Sequence, residues 1–340
     1  MLNQAIATVV EISSLSDGAA HLITEYGPAI AYSSIVGPVH TGDSVLLNRT
    51  ANILRLGTGG VDFVIAVAGR ALPIESADSG HIMKLRYTPS QLAVHALEED
   101  PELEPIWEKS LDGFPVVVCQ LHSQIAHAAA ALAAAGRRVV YIMTDTACMA
   151  APFSRLLAHL KAAGIVTSSI TAGQAFGGDH ESVTVHSALL AAKYFLNADA
   201  VIVGQGPGNA GTGTKYGFSS IDQAGLLDIV SALYGTPIAV LRLSNADQRV
   251  RHHGVSHHSL TALKLVRSSC VIPVPAGIIC EGIEARHTMI EISDFLASFD
   301  CIEQRGVAVT TMGRGSNEDR LFFEASAAAG VYAASLGESN

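Results

Sequence analysis

Charged side chains are scarce in this chain, and basic ones are the scarcer kind. They make up only 15% of the residues against 49% hydrophobic ones, so helices and strands must be buried on more than one face, which favours a layered α/β fold. With 21 basic and 31 acidic residues the formal net charge is −10. Affinity for nucleic acid comes largely from Lys and Arg that neutralise phosphates, so we expect no nucleic-acid partner.

Long apolar runs and a secretory leader are also missing. No run reaches the roughly 18 apolar residues that a membrane span needs, so no membrane partner is expected. The first ten residues lack the basic start, apolar core and cleavage site of a leader. The five cysteines form no CxxC pair and are interpreted as reduced thiols that serve as small core residues. These features together predict a cytoplasmic protein.

The beginning of the chain alternates short β patterns with turn signals. The predicted strands are residues 7–12, 21–24, 29–32, 43–48 and 63–67. This pattern predicts a small antiparallel β domain over residues 1–72, either a barrel or a sandwich. Residues 73–114, which contain the single tryptophan, Trp107, are predicted to be a connecting arm with short helices.

From residue 115 to residue 340 strand patterns alternate with helical patterns, which is typical of repeated βαβ units. The chain is therefore predicted to be an α/β protein whose main domain is a doubly wound, mostly parallel sheet of about seven strands. The predicted strands are residues 116–121, 138–143, 166–170, 200–203, 238–243, 270–274 and 307–311.

Polar residues follow these predicted strands, whereas the joins at their other ends are short and plain. Open parallel sheets bind ligands outside the carboxyl ends of their strands, so we expect one site at this edge. His122 is a candidate ligand-binding residue there. Asp145, directly after a strand, is a candidate catalytic residue, although it is also placed to cap the next helix.

A loop rich in glycine, residues 204–218 (the glycine loop), follows the predicted strand 200–203. Its backbone N–H groups could surround an anion. The match to GxGxxG departs from the dinucleotide fingerprint because a further Thr-Gly-Thr-Lys-Tyr-Gly precedes the helix, and the alternative role is a tight turn with close backbone packing. Ser219 and Asp222 are predicted to form a capping box. The candidate ligand-binding residues are Gly206, Gly208, Gly211, Thr212, Gly213 and Thr214.

Four histidines and two arginines lie within residues 249–258. Three interpretations stay open. Arg249 and Arg251 could bind a carboxylate or phosphate while His257 or His258 acts as a general acid or base. Alternatively the segment could cap the next helix, or it could bind a metal, in which case the ligands would be His252, His253 and His257.

Two further candidates come from other loops. Asp179 precedes a helical pattern, so it is either the N-cap of that helix or a catalytic carboxylate. Arg314 lies in a turn that could face an anion, or that simply begins a helix.

Several separated stretches resemble a bacterial family of unknown function, the DUF3866 family. They are residues 80–89, 177–179, 206–214, 251–258 and 312–315. The resemblance spans nearly the whole chain and implies a bacterial cytosolic protein. It brings no reaction, cofactor or catalytic residue with it.

The sequence leaves two hypotheses on function. The first is an enzyme that acts on a small anionic substrate, phosphorylated, nucleotide-like or carboxylated, at the edge described above. The second is a ligand-binding regulator or assembly factor that uses the same cleft without chemistry. The cofactor is unknown from sequence, and the low charge makes a homo-oligomer a further hypothesis.

Overall fold

The computed structural model describes residues 2–57, 59–71 and 80–336. The chain divides into two compact units, Met1–His95 and Ala96–Asn340. The predicted domain boundary at residue 72 and the first residues of the predicted arm lie outside the described residues.

The first unit contains a closed five-stranded barrel with the order β1-β2-β3-β5-β4. All five strands predicted there are present, and the barrel replaces the open choice between barrel and sandwich. β1 pairs with both β2 and β4, and its register shifts twice against β2, which lets the long strand bend and close the sheet. The strands are β1 Gln4–Ser16, β2 Ala19–Thr24, β3 Gly27–Tyr32, β4 Ser44–Asn48 and β5 Asp62–Val67.

Alternation along these strands builds the barrel core. In β4, for example, Val45 and Leu47 are fully buried, as period-two side-chain placement requires. The described residues of this unit also form two short helices and one hairpin. These are α1 Ser33–Val36, α2 Thr50–Ile53, β6 Ile82–Lys84 and β7 Leu92–Val94.

The second unit is built on an eight-stranded sheet in which every pairing is parallel. Between β13 and β16 the chain also forms a small antiparallel pair, β14 Leu243–Ser244 and β15 Gly254–Val255. The sheet strands are β8 Pro115–Val118, β9 Val139–Thr144, β10 Ser168–Ala172, β11 His180–Ser182, β12 Ala200–Gln205, β13 Thr236–Ala239, β16 Val271–Pro275 and β17 Thr288–Ile292.

Six of the seven strands predicted for this sheet are present. The strand predicted over residues 307–311 is wrong: Val307 and Val309 pack in the core beside α3 Ile125–Ala134, and Thr311 pairs only with Arg314 in a tight turn. The two strands that the prediction missed, β11 and β17, are the outermost strands of the sheet. Their side chains are largely polar or half-exposed, so they carry no continuous apolar run.

Helices cover both faces of the sheet. One core cluster contains the inner side chains of α5 to α7, and a second contains those of α3, α4 and α8, while α9 packs against α3 and β16. Within the described ranges no helix is long and apolar enough to cross a membrane. The remaining helices are α4 Arg155–Ala162, α5 Val185–Tyr194, α6 Gln223–Ala232, α7 His257–Leu265, α8 Leu296–Gln304 and α9 Arg320–Leu336.

The strand order, β11-β10-β9-β12-β8-β13-β16-β17, gives the sheet a switch point between β8 and β12. The chain leaves β8 through α3 on one face, and it leaves the neighbouring strand β12 through α6 on the other face. In doubly wound sheets the crevice for ligands opens outside the carboxyl ends of such a strand pair. The glycine loop begins at the end of β12 and so lies at this switch point.

Candidate functional site

Three histidines, His252, His257 and His258, come together at the start of α7; we call them the histidine cluster. The helix begins there because the Ser256 hydroxyl accepts a hydrogen bond from the His258 backbone N–H at 3.2 Å. Gly254, with a positive φ of 69°, turns the chain back through β15. The centroid of the His252 ring lies 5.0 Å from that of the His257 ring and 4.8 Å from that of the His258 ring.

Ring nitrogens of the histidine cluster lie close together. One nitrogen from each side chain lies within 4.8 Å of the other two. His257 Nε2 and His258 Nδ1 are buried and have no hydrogen-bond partner among the described residues. His253, which the sequence placed in the metal-binding set, is exposed and outside the cluster, and His258 takes its place.

The imidazoles of the histidine cluster are neutral at pH 7. Burial, helped by the nearby Arg242 guanidinium, lowers the pKa of His252 to about 4. Burial and the neighbouring histidines lower the pKa of His258 to about 3, and burial also lowers that of His257. Each ring therefore keeps a lone pair on one nitrogen.

The glycine loop lies against the histidine cluster. The Phe218 ring is stacked on the His258 ring, with centroids 3.8 Å apart and planes 6° apart. Gly211 pairs with Phe218, and a Cβ at Gly211 would lie 3.8 Å from His258 Cε1. Two motifs that the sequence identified separately are thus in direct contact.

Several backbone N–H groups of the glycine loop are unpaired. Those of Gly208, Asn209, Gly211 and Gly213 donate no hydrogen bond to any described residue. Gly208 and Gly213 have φ angles of 96° and 80°, which explains the need for glycine at both. The loop therefore has free donors of the kind that bind anions.

Other residues of the glycine loop have structural contacts. The Thr212 and Thr214 hydroxyls bond to each other at 2.9 Å, and Thr212 also bonds to the Gly217 carbonyl at 3.0 Å. A Cβ at Gly206 would lie 2.5 Å from the Cys148 carbonyl oxygen, so glycine is needed there for close packing. The structure thus supports the packing interpretation at Gly206, while anion binding by the rest of the loop stays a prediction.

The ends of the glycine loop are fixed by side chains that the sequence analysis missed. Ser219 does not form the predicted capping box; its hydroxyl donates to Gln205 Oε1 at 2.8 Å, and α6 begins later, at Gln223. The Gln205 side chain donates to Asn209 Oδ1 at 2.9 Å and to the Gln120 carbonyl at 3.1 Å. The sequence signal that could have revealed these contacts is Gln205, a polar residue at the end of a buried strand.

Three arginines and two aspartates form what we call the arginine network. Arg249 binds both oxygens of Asp247, at 2.9 and 2.8 Å, and Arg242 binds the same carboxylate at 2.9 Å. Arg314 binds Asp319 at 2.9 Å. Burial opposes ionisation of Asp247, but Arg249 and Arg242 outweigh it and hold the pKa well below its usual range. Arg249 and Arg314, both predicted to bind ligand, are therefore already paired with carboxylates.

Arg251 differs from these arginines. It is exposed, and its guanidinium forms no hydrogen bond or ion pair with the described residues. Its positive charge contributes to the lowered pKa values of His257 and His258, so it acts within electrostatic reach of both. Of the three arginines predicted to bind an anion, Arg251 is therefore the one whose guanidinium has no partner among the described residues. It lies near the histidine cluster.

His122 lies at the same edge of the sheet, but its ring is fully paired. Nδ1 lies 3.2 Å from the Gln205 carbonyl, which only accepts, so Nδ1 carries the proton. Nε2 then accepts from the Ser154 hydroxyl at 2.6 Å. Burial lowers the pKa of His122 to about 4.

The two candidate carboxylates are separated. Asp145 follows β9 at the carboxyl edge, where it accepts from the Gln174 backbone N–H at 2.7 Å. Asp179 binds Lys161 and the Ser169 backbone N–H, near the amino end of β10. It precedes a strand, so the N-cap interpretation is wrong; Thr184 caps the next helix.

A separate cleft of about 640 Å³ opens beside α8 and the start of α9. His127, Phe299 and Arg320 line it together with the turn at residues 315–318. The glycine loop and the histidine cluster do not line it, although the turn that follows Arg314 does.

The fold and the site define a doubly wound α/β protein whose polar residues meet at the switch point of its sheet. The profile of one family, described as a protein of unknown function (DUF3866), matches residues 28–330. The chain therefore belongs to the DUF3866 family, as its motifs suggested. No curated protein and no solved structure matches it.

Proposed function

We propose that this chain is a cytoplasmic enzyme that acts on a small anionic substrate, phosphorylated, nucleotide-like or carboxylated, at the carboxyl edge of its parallel sheet. The observation that carries the proposal is the stacking of Phe218 on His258. It brings the glycine loop, through Gly211, next to the ring of His258, whose Nδ1 has no partner among the described residues. An anionic group and a reacting atom of one substrate would then be bound side by side.

The anionic group would bind to the glycine loop. Free N–H groups in a loop with left-handed glycines attract anions such as phosphate. The three guanidinium groups of the arginine network exceed its two carboxylates by one positive charge, and Arg251 adds another. This local positive charge, in a chain of net charge −10, would attract anionic molecules to this place.

The chemistry would come from the histidine cluster. Neutral imidazoles offer lone pairs to a substrate, and His257 and His258 are the residues whose nitrogens lack partners. Asp145 shares their edge of the sheet and remains a candidate catalytic residue, whereas Asp179 lies near the amino end of β10. All five cysteines are free thiols, in keeping with a reducing cytoplasm.

A thermal-shift screen of chelator-treated protein tests the proposal. The probes are inorganic phosphate, nucleotides, sugar phosphates and small dicarboxylates, since any ligand of the native state raises the unfolding temperature by mass action. We expect one class to raise it and Arg251→Ala to remove most of that rise. Arg267→Ala is the matched control, because Arg267 is also exposed but lies beyond the carboxyl end of α7.

Absence of any shift in folded protein, or equal loss in both arginine variants, would contradict the proposal. The compound that binds is then incubated with the protein and followed for turnover. Binding without turnover would favour the second hypothesis, a ligand-binding regulator that uses the same residues.

A further inference from the structure

We infer that His252, His257 and His258 bind one divalent transition-metal ion that takes part in this site. The inference rests on the proposed function, because it names what the histidine cluster contributes there. The ligand nitrogens already lie within 4.8 Å of one another. Nitrogens bound to zinc at about 2.1 Å in a tetrahedron lie roughly 3.4 Å apart, so small side-chain rotations suffice.

Unsatisfied buried nitrogens provide the second argument. His257 Nε2 and His258 Nδ1 have no hydrogen-bond partner among the described residues, and leaving a buried polar atom in that state is unfavourable. A metal ion between the rings would satisfy both. Bulk water cannot act as the hydrogen-bond partner of these two atoms in the fold as described, because both are shielded from solvent.

His252 has the environment of a metal ligand. Its Nδ1 lies 2.7 Å from the Ser256 hydroxyl, which leaves Nε2 available. Metal-bound histidines usually donate their other N–H to such a second group, which fixes the tautomer and the ring orientation. Ser256 also caps α7, so one residue orients His252 and sets the start of the helix that carries the other two ligands.

The donor set indicates which ions fit. Imidazole suits zinc, cobalt, nickel and copper, whereas magnesium and calcium take oxygen ligands. Three protein ligands leave a fourth position open, as in catalytic rather than structural zinc sites. Gly211 lies next to His258 without a side chain, so the glycine loop leaves space beside the cluster.

Positive charge nearby works against a cation, but two features reduce this effect. The Arg242 guanidinium is paired with Asp247 at 2.9 Å, and Arg251 is exposed to solvent, which screens it.

Titration of the chelator-treated full chain with Co²⁺ tests the inference, with visible absorption as the readout and Zn²⁺ calorimetry as the second measurement. We expect one equivalent to bind and to give the absorption of tetrahedral cobalt. Removal of an outer-shell partner alone weakens metal binding by up to about 100-fold. His257→Ala removes a ligand itself, so it should weaken binding by more than about 100-fold. His253→Ala, which changes the exposed neighbouring histidine, should leave binding unchanged.

Folded wild-type protein that binds neither ion would overturn the inference, as would equal binding by the His253→Ala and His257→Ala variants. Near-ultraviolet circular dichroism checks each fold, and His252→Ala replaces His257→Ala if the latter does not fold. The proposed function is tested separately, on metal-free protein with inorganic phosphate. A phosphate shift without metal binding would therefore reject the metal site and leave the anion site standing.

Discussion

The histidine cluster and three members of the arginine network, Arg242, Asp247 and Arg249, come from one stretch of chain, residues 242–258, and Arg314 and Asp319 complete the network. The cluster and the network differ in how their polar atoms are used. In the network, guanidinium and hydroxyl groups surround Asp247 and Asp319. In the cluster, two buried ring nitrogens have no partner in the part of the chain that the structure describes. A satisfied polar group stabilises the fold, whereas an unsatisfied one keeps its capacity to bind something else. On our proposal, Arg242, Arg249 and Arg314 stabilise the fold, whereas the histidine cluster binds a ligand.

The largest expected effect is on the network side. Asp247→Asn removes the charge that Arg242 and Arg249 share and leaves the buried Arg242 guanidinium without a counter-charge. We expect it to reduce the free energy of unfolding, measured by urea denaturation, by about 3–5 kcal/mol. Asp300→Asn, at an exposed position of α8, is the control and should change it by less than about 0.5 kcal/mol. Equal effects of the two variants would remove the structural role of the network.

The next effect compares two histidines at the same edge. His122→Ala leaves the Ser154 hydroxyl and the Gln205 carbonyl without their partner, so we expect a loss of about 2 kcal/mol. His257→Ala in metal-free protein removes a ring whose Nε2 has no partner and should cost less than about 1 kcal/mol. Urea denaturation of both variants measures the difference. A loss at His257 as large as that at His122 would break the comparison.

A third histidine, the buried His127, extends this comparison to the pH dependence of stability. His127 bonds to the Ser298 hydroxyl and packs on Phe299 and Phe323, and burial, together with the charge of Arg320, lowers its pKa to about 3. In the unfolded chain the pKa of this histidine is about 6.5. Below about pH 6.5 the unfolded state therefore binds a proton that the folded state does not, which favours unfolding.

Stability should therefore decrease below about pH 6.5, by up to about 1.4 kcal/mol per pH unit from this one group. Urea denaturation at several pH values between about 7 and about 4, which lie roughly within the window set by these two pKa values, measures the slope. His127→Gln, which keeps an amide able to reach Ser298, should give a shallower slope. Identical slopes for the variant and the wild type would show that His127 is not held neutral.

The smallest effect on stability is expected at Gly211. A Cβ there would meet His258 Cε1 at 3.8 Å, an ordinary contact, so Gly211→Ala should change the free energy of unfolding by less than about 0.5 kcal/mol. It should nevertheless weaken phosphate or cobalt binding, because the methyl group narrows the space beside the histidine cluster. Calorimetry of the folded variant measures this, and wild-type affinity for both probes would place the binding site elsewhere.

Strong local patterns made most of the fold predictable. The five barrel strands and six sheet strands carry alternating or continuous apolar residues, and all were found. The edge strands β11 and β17 were not predicted, because a strand that pairs on one side only needs little apolar surface. The segment 307–311 has the alternation of a strand, but its valines bury themselves against helices instead.

The site was predictable only in its parts. The glycine loop and the four histidines stand out in the sequence, yet the exchange of His253 for His258 in the cluster depends on the turn at Gly254 and the cap at Ser256. The partner of Arg249 is two residues away and could have been noticed. The link of Ser244 to Asp319 spans 75 residues and arises only from the packing of α9.

The central claim is that the glycine loop next to the histidine cluster is an open anion site. Nuclear magnetic resonance of protein labelled with ¹⁵N at its 31 glycines tests it most directly, with inorganic phosphate as the added ligand. The account predicts that the amide signals of Gly208, Gly211 and Gly213 move progressively with phosphate concentration while those of the first unit stay in place. Unmoved signals from these three glycines, in folded protein that binds phosphate, would contradict it.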